Sequence, residues 1–332
     1  MTLTQTALIT KRAIVITAVT LFLIIGAKIG YQVWYDYQLA NLPKIADKPE
    51  EKFGTLPQLT YPDAQVSSSN FSYSLDTPTG SFPDFPKLVN IYFIPQSGVS
   101  LLAPERSIEL AVKLGFGTKP QILSDSLYQF SDNTGGNLSI DLPTGNFHFQ
   151  RAVATNSAQP SGFSESSEDI IKNFKTFLRD KNLLTDPIQQ GKINIVFDNL
   201  DTTKSQTATI SALPADFNKL PIINITPYGL VKTLINTNSD EQKRYLQMDY
   251  VVWLIDSTTF SSYPIKDPQK AFAQLQSGEG FVIIPPLKPQ VSITDVHLAY
   301  YQSENYSPYL QPVYVFEGPH YQAIVQATIP KD

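Results

Sequence analysis

A chain of 332 residues with 25 Lys and Arg against 30 Asp and Glu carries a net charge of -5, which leaves no basic footprint for nucleic acid. It holds no cysteine, so a disulfide framework, a thiolate metal site and a cysteine nucleophile are excluded, and stability must come from packed cores. Charged residues make up only 17%, while Tyr and Phe number 17 and 19, a balance that suits sheets with much aromatic packing.

Residues 1–12 carry Lys11 and Arg12 and no acid. Ala13 to Ala27 has no charge, and with its flank to Tyr35 it is long enough to cross a bilayer as a helix. Lys28 can snorkel to the headgroups, and Tyr31, Trp34 and Tyr35 supply an aromatic belt. The exit at Ile24 to Lys28 is a poor cleavage site, and a helix apolar all round does not suit a soluble core, so residues 13–35 read as an uncleaved signal anchor. The basic tail places residues 1–12 in the cytoplasm and everything after Tyr35 outside it, as a single-pass protein of the cell membrane. Residues 36–61, with Pro43, Pro49 and Pro57 and little apolar periodicity, read as an extracytoplasmic linker.

Residues 62–155 read as a first domain. Strands are expected at Phe71 to Leu75 and Leu88 to Ile94, then a helix opened by Pro104 with Ile108, Ala111, Val112 and Gly115 on one face. Three short strands follow, Ser126 to Phe130, Asn137 to Asp141 and Asn146 to Gln150, joined by Gly-containing turns. The pattern Asp-x-Pro-Thr-Gly occurs at Asp76 to Gly80 and again at Asp141 to Gly145, as two similar tight turns or a duplicated strand-turn unit. The small, polar stretch Ala154 to Gly162 marks a boundary.

Residues 163–332 read as a second domain. Ser164 to Asn182 predicts a helix burying Ile170, Phe174, Phe177 and Leu178, with serines at its start and acids near its positive end. Strands are expected at Lys192 to Phe197, Thr207 to Ala212, Ile222 to Thr226, Leu230 to Thr237 and Tyr245 to Ile255. Asp267-Pro268 opens a shorter helix that Gly278 stops. Alternation slips at Thr294-Asp295, which predicts a bulge or turn there. Val313 to Phe316, apolar at every position, predicts a strand buried on both faces, and Tyr321 to Ile329 a last strand. Runs of strands between separate helices indicate an α+β class, with helices packed on one face of antiparallel sheets.

Val296-His-Leu-Ala-Tyr-Tyr301, a short loop, and Tyr309-Leu-Gln-Pro-Val-Tyr-Val-Phe316 resemble the C-terminal strand pair of the YycI/YycH group (WalI/WalH-like). These are bacterial, single-pass, extracytoplasmic regulators of a cell-wall-sensing two-component system. The first domain is similar to PepSY units: a helix, then strands, then the turn Asp141 to Gly145. The resemblance implies two PepSY-like domains behind an N-terminal anchor, a protein partner and no catalytic residue.

His148, His297 and His320 each stand alone, without the spacing of a catalytic zinc motif, and His148 and His297 fall in strands as structural residues. No Gly-x-Ser-x-Gly elbow occurs, and Gly278-Glu-Gly280 lacks the strand-to-helix context of a nucleotide loop. Asp249, Asp256 and Glu317 are candidates for a glycosidase-type carboxylate pair, although each reads more simply as a strand end. The expected function is that of a membrane-anchored, non-enzymatic binding or regulatory protein of the cell envelope. It is expected to have a protein partner and no catalytic, metal or cofactor-binding residues. The alternative is an envelope hydrolase or wall-binding enzyme using a carboxylate pair.

Overall fold

The computed structural model describes residues 26–32, 34, 48–61, 66–96, 98–152, 162–224 and 229–329. The chain divides into two units, Met1–Ile45 and Ala46–Asp332. In the first, residues 26–32 are helical and exposed, and the rings of Tyr31 and Trp34 lie 6.0 Å apart. Among the described residues no helix is long and apolar enough to cross a membrane. The transmembrane anchor expected over residues 13–35 is corrected by this finding, and with it the single-pass placement drawn from that anchor. The described helical stretch carries Gly26, Lys28, Gly30 and Gln32, too short and too polar for the task. Residues 1–25, on which the cytoplasmic tail and most of the anchor were expected, lie outside the described residues.

The second unit is mostly sheet. Among the described residues strands account for 37% and helices for 21%, so sheets carry the architecture and the α+β plan of two helix-covered PepSY-like domains is corrected. The unit begins with β1 (Ser72–Leu75), β2 (Leu88–Phe93), α1 (Ala103–Lys113), β3 (Gln121–Ser124), β4 (Leu127–Ser131), β5 (Asn137–Asp141) and β6 (Phe147–Gln150). It continues with α2 (Ser167–Asp180), α3 (Asp186–Gln190), β7 (Lys192–Phe197), β8 (Thr207–Leu213), β9 (Ile222–Ile223), β10 (Val231–Asn236), α4 (Glu241–Arg244) and β11 (Tyr245–Tyr250). It ends with β12 (Asp256–Pro264), α5 (Pro268–Ser277), β13 (Phe281–Ile284), β14 (Gln290–Ile293), β15 (Asp295–Tyr301), β16 (Tyr309–Gly318) and β17 (Tyr321–Gln326).

An eight-stranded antiparallel sheet runs in the order β3-β4-β5-β6-β11-β10-β8-β7. The pairing of β6 with β11 joins strands from both sides of the boundary expected at Ala154 to Gly162, so that boundary runs through one sheet. One face packs against α2. Ser166 caps that helix by accepting from the Asp169 N–H at 3.1 Å, and Ile170, Phe174, Phe177 and Leu178 are buried, as their spacing predicts. They share a core with Phe130, Leu138, Phe149, Met248 and Ile210 of the sheet. α1 adds Ala111 to it, while Val112, expected on the same face, points out and is 48% exposed. The opposite face carries an unbroken row of register partners, Gln121, Gln129, Ser139, His148, Asp249, Lys232, Ser211 and Asn194, every one polar.

The second large sheet is organised around β16. β15 pairs along one edge of it, from Asp295 opposite Glu317 to Tyr301 opposite Gln311. The other edge is shared: β2 takes Tyr309 and Leu310, and β17 takes Val313 to Gly318. β12, β13 and β9 extend the sheet beyond β2, β17 and β15. Val313, Tyr314, Val315 and Phe316 are all fully buried, on both faces of the sheet. Tyr314 and Phe316 pack with Leu298, Tyr300 and Val325 under Ala271 and Leu275 of α5. Val313 and Val315 pack with Ala299, Tyr301 and Ile324 on the other side. At Thr294 the chain leaves β14, which pairs in parallel with β1, and enters β15, so the slip in alternation marks a change of partner strand. The two Asp-x-Pro-Thr-Gly segments both end in a Gly with positive φ but close differently: the Gly145 N–H reaches Asp141 O, the Gly80 N–H only Thr77 O.

The linker expected over residues 36–61 is corrected for its described part, which clads this sheet. Leu59 is buried against Val313, Val315 and Phe281, and Leu56 against Ile91 and Tyr263. The Leu59 N–H donates to Gln326 Oε1 at 3.2 Å, and Gln311 Nε2 donates to Pro57 O at 2.9 Å. Replacing Leu59 with Ala should cost about 3 kcal/mol in urea unfolding, as a buried leucine truncation does. The neighbouring exposed Gln58→Ala should stay within about 0.5 kcal/mol of the parent. Equal stability of the two variants would mean that this segment contributes nothing to the core.

Candidate functional site

The chain passes between the two large sheets at several places. Residues 214–221 lead from β8 to β9, residues 251–255 lead from β11 to β12, and α3 and the β15–β16 loop lie beside them. These crossings cannot pack as regularly as strands, and they leave a cavity of about 300 Å³. Its wall is largely apolar, formed by Pro187, Ile188, Phe217, Ile222, Leu230 and Trp253. Trp253 is fixed at both ends: its indole N–H donates to Ser303 O at 2.8 Å, and its ring lies 5.6 Å from that of Tyr306. The adjacent Leu254 also lines the cavity yet is 74% exposed.

Two polar groups in this wall are incompletely paired. Gln302 is 1% exposed, and its Nε2 donates to Trp253 O at 3.3 Å while Oε1 has no partner among the described residues. Thr185 occupies the N-cap of α3, but its hydroxyl makes no capping bond and is also without a partner among the described residues. A buried polar atom left unpaired costs roughly 1–3 kcal/mol.

The loop that carries Gln302 continues to Glu304, whose carboxyl is influenced by two members of the polar row. Burial and the nearby Asp249 carboxylate push the Glu304 carboxyl up, and Lys232 opposes them. Asp249 itself hydrogen-bonds His148 across the β6–β11 pair. That bond raises the His148 imidazole above its ordinary value, burial opposes it, and the charge of Asp249 adds to it. A second groove, of about 400 Å³, lies at the start of α2, but its charged residues are already paired, Arg244 with Glu165 of the same wall and Glu241 with Lys181 outside it.

The three carboxylates weighed as a hydrolytic pair are not brought together. Asp249 lies in the eight-stranded sheet, opposite His148. Asp256 opens β12 and accepts from the Thr258 hydroxyl at 2.6 Å and the Thr258 N–H at 2.9 Å; these bonds, the hydroxyl's foremost, lower its pKa to about 2. Glu317 lies in β16, opposite Asp295. His320 sits in the β16–β17 turn with positive φ. The cavity residues escaped the sequence reading because Trp253, Leu254 and Gln302 carry no motif. The one signal was Trp253 itself, a large aromatic in a segment read as the end of a strand.

No family model matches the sequence, and no curated protein matches it. The His148–Asp249 contact makes a specific claim about pH. An imidazole whose folded pKa lies above the unfolded value of about 6.5 contributes stability that is fully present below that pH and is lost as pH rises through the folded pKa. Asp249→Asn should flatten the stability profile in that window and return the His148 titration, followed by NMR, to its ordinary value. The same substitution should lower the Glu304 pKa. An unchanged His148 titration would show that Asp249 does not set it.

Proposed function

We propose that this chain is a non-enzymatic binding protein of regulatory type, which docks a protein partner by taking one of its apolar side chains into the cavity between the sheets. The observation that carries this reading is Leu254, an exposed leucine at a largely apolar cavity. An exposed apolar knob beside an apolar hole is the arrangement in which a few residues dominate a protein interface. The volume supports an anchor side chain over a large cofactor, since it lies at the bottom of the range of about 300–1,000 Å³ found for small-molecule sites. A donor group on the occupant would relieve the unpaired Gln302 or Thr185 oxygen. The resemblance of residues 296–301 and 309–316 to the YycI/YycH regulators points the same way, towards work done through a protein partner.

A hydrolase reading has one observation in its favour. Burial and then the nearby Asp249 carboxylate push the Glu304 carboxyl up, as a general acid needs. It would require turnover of a glycoside that Glu304→Gln abolishes.

Panning a random-peptide display library against the full chain tests the docking reading. Enriched peptides should share a Leu, Phe or Trp anchor, shift the emission of Trp253 to the blue, and bind Leu254→Asp at least about tenfold more weakly. Leu254 is exposed, so this variant should keep the parent's unfolding profile. Peptides that bind the variant as tightly as the parent, or a library that yields no binder, would overturn the proposal.

A further inference from the structure

The β15–β16 pair carries a group of side chains that the docking reading does not use. Asp295 lies directly opposite Glu317, and His297 lies two residues further along β15, hence on the same face. One donor atom from each of the three side chains lies within 4.8 Å of the other two. His297 Nδ1 is 2.7 Å from Asp295 Oδ2, and Glu317 Oε1 accepts from Gln322 Nε2 at 2.7 Å. Two carboxylates opposed across adjacent strands repel one another. Among the described residues no lysine or arginine forms an ion pair with either of them, and His297 is hydrogen-bonded to Asp295.

The backbone beneath these side chains is held on several sides. Glu317 O accepts the Thr294 N–H at 2.8 Å, and β17 continues the pairing on the far edge. Gly318 follows so close to β14 that a Cβ there would stand 2.1 Å from Ser292 O. Val315 and Phe316, next along the strand, are fully buried. Beyond this core the face opens: the Asp295 side chain is 59% exposed and that of His297 34%. The donors are therefore placed by rigid strands and reachable from solvent, which is what a metal site asks of its scaffold.

We infer that Asp295, His297 and Glu317 form a binding site for a divalent transition-metal cation of the zinc type. Two carboxylate oxygens and an imidazole nitrogen suit zinc, cobalt or manganese; the nitrogen disfavours magnesium and calcium, and without thiolates the set does not select copper(I). Donors at about 2.1 Å from a tetrahedral zinc stand about 3.4 Å apart, so side-chain rotation alone closes the present group onto one ion. The ion would displace the His297–Asp295 hydrogen bond and balance the opposed carboxylates, and water would complete its shell. The group lies in the β16 sheet and does not depend on the cavity beside Trp253.

Calorimetric titration of zinc chloride into the untagged full chain tests the inference, with cobalt(II) absorption as a report on coordination. One zinc should bind per chain, and equimolar magnesium or calcium should not displace it. Asp295→Asn, His297→Gln and Glu317→Gln should each weaken binding at least about tenfold. His148→Gln, which removes the other histidine hydrogen-bonded to a carboxylate, should leave binding unchanged. In EDTA, Asp295→Asn should unfold at or above the parent's temperature, because it removes one of two opposed charges; this separates loss of binding from loss of fold. Zinc binding weaker than about 1 mM, binding undiminished in the three variants, or loss in His148→Gln would overturn the inference.

Discussion

Burial of β16 on both faces is the constraint on which this molecule depends. Four successive residues, Val313 to Phe316, reach no solvent, so two cores must be supplied, one above the strand and one below. α5 with Leu298 and Tyr300 of β15 supplies the first, and Phe281 of β13, Tyr301 of β15, Ile324 of β17 and the segment around Leu59 supply the second. The strand also has more neighbours than edges, because β2 and β17 share one side of it. Polar residues are consequently confined to its ends, where Gln311 meets the cladding segment and Glu317 meets Asp295.

A chain without cysteines still has to cross-tie distant segments, and here tyrosine does so. Tyr300 donates its hydroxyl to Asn90 O at 2.8 Å and Tyr314 to Lys266 O at 2.6 Å. Tyr250 reaches Leu183 O at 2.9 Å, and Tyr263 reaches Gly54 O at 3.0 Å. Each ring fills a core while its hydroxyl satisfies a backbone carbonyl far away in sequence, which accounts for the abundance of this residue. Burial pushes the Tyr250 and Tyr314 hydroxyls up to about 12, so these donors stay protonated across any physiological pH. Tyr61 departs from the pattern, with a buried hydroxyl that finds no partner among the described residues.

What could be read from the sequence was what local chemistry decides. The stripe of α2, its serine cap, the break at Thr294 and the doubly buried strand at Val313 to Phe316 each rest on a few adjacent residues. Long-range pairing was not readable. Nothing in Phe147 to Gln150 announces Tyr245 to Tyr250 as its neighbour, so a boundary at Ala154 to Gly162 was the natural expectation and one sheet appeared as two domains. Residues 48–61 read as a spacer because Leu56 and Leu59 show no periodicity; they bury singly, from an extended segment. The Asp295–His297–Glu317 group needed register: Glu317 looked like a lone strand end until pairing set it opposite Asp295. The apolar run from Ala13 drew the reading towards a membrane helix on composition alone, and residues 13–25 lie outside the described residues.

The cladding segment also imposes an order on biosynthesis. Leu59 is bonded to Gln326, 267 positions later, and Pro57 to Gln311, 254 positions later. The eight-stranded sheet needs nothing beyond Tyr250 and contains a local meander from β3 to β6. A ribosome therefore releases every strand of that sheet while residues 48–61, though made earlier, still wait for β16 and β17. Contacts of such long range form slowly, and until they form Leu56 and Leu59 stay exposed on the nascent chain. The earliest part of the second unit to be synthesised is among the last to find its place.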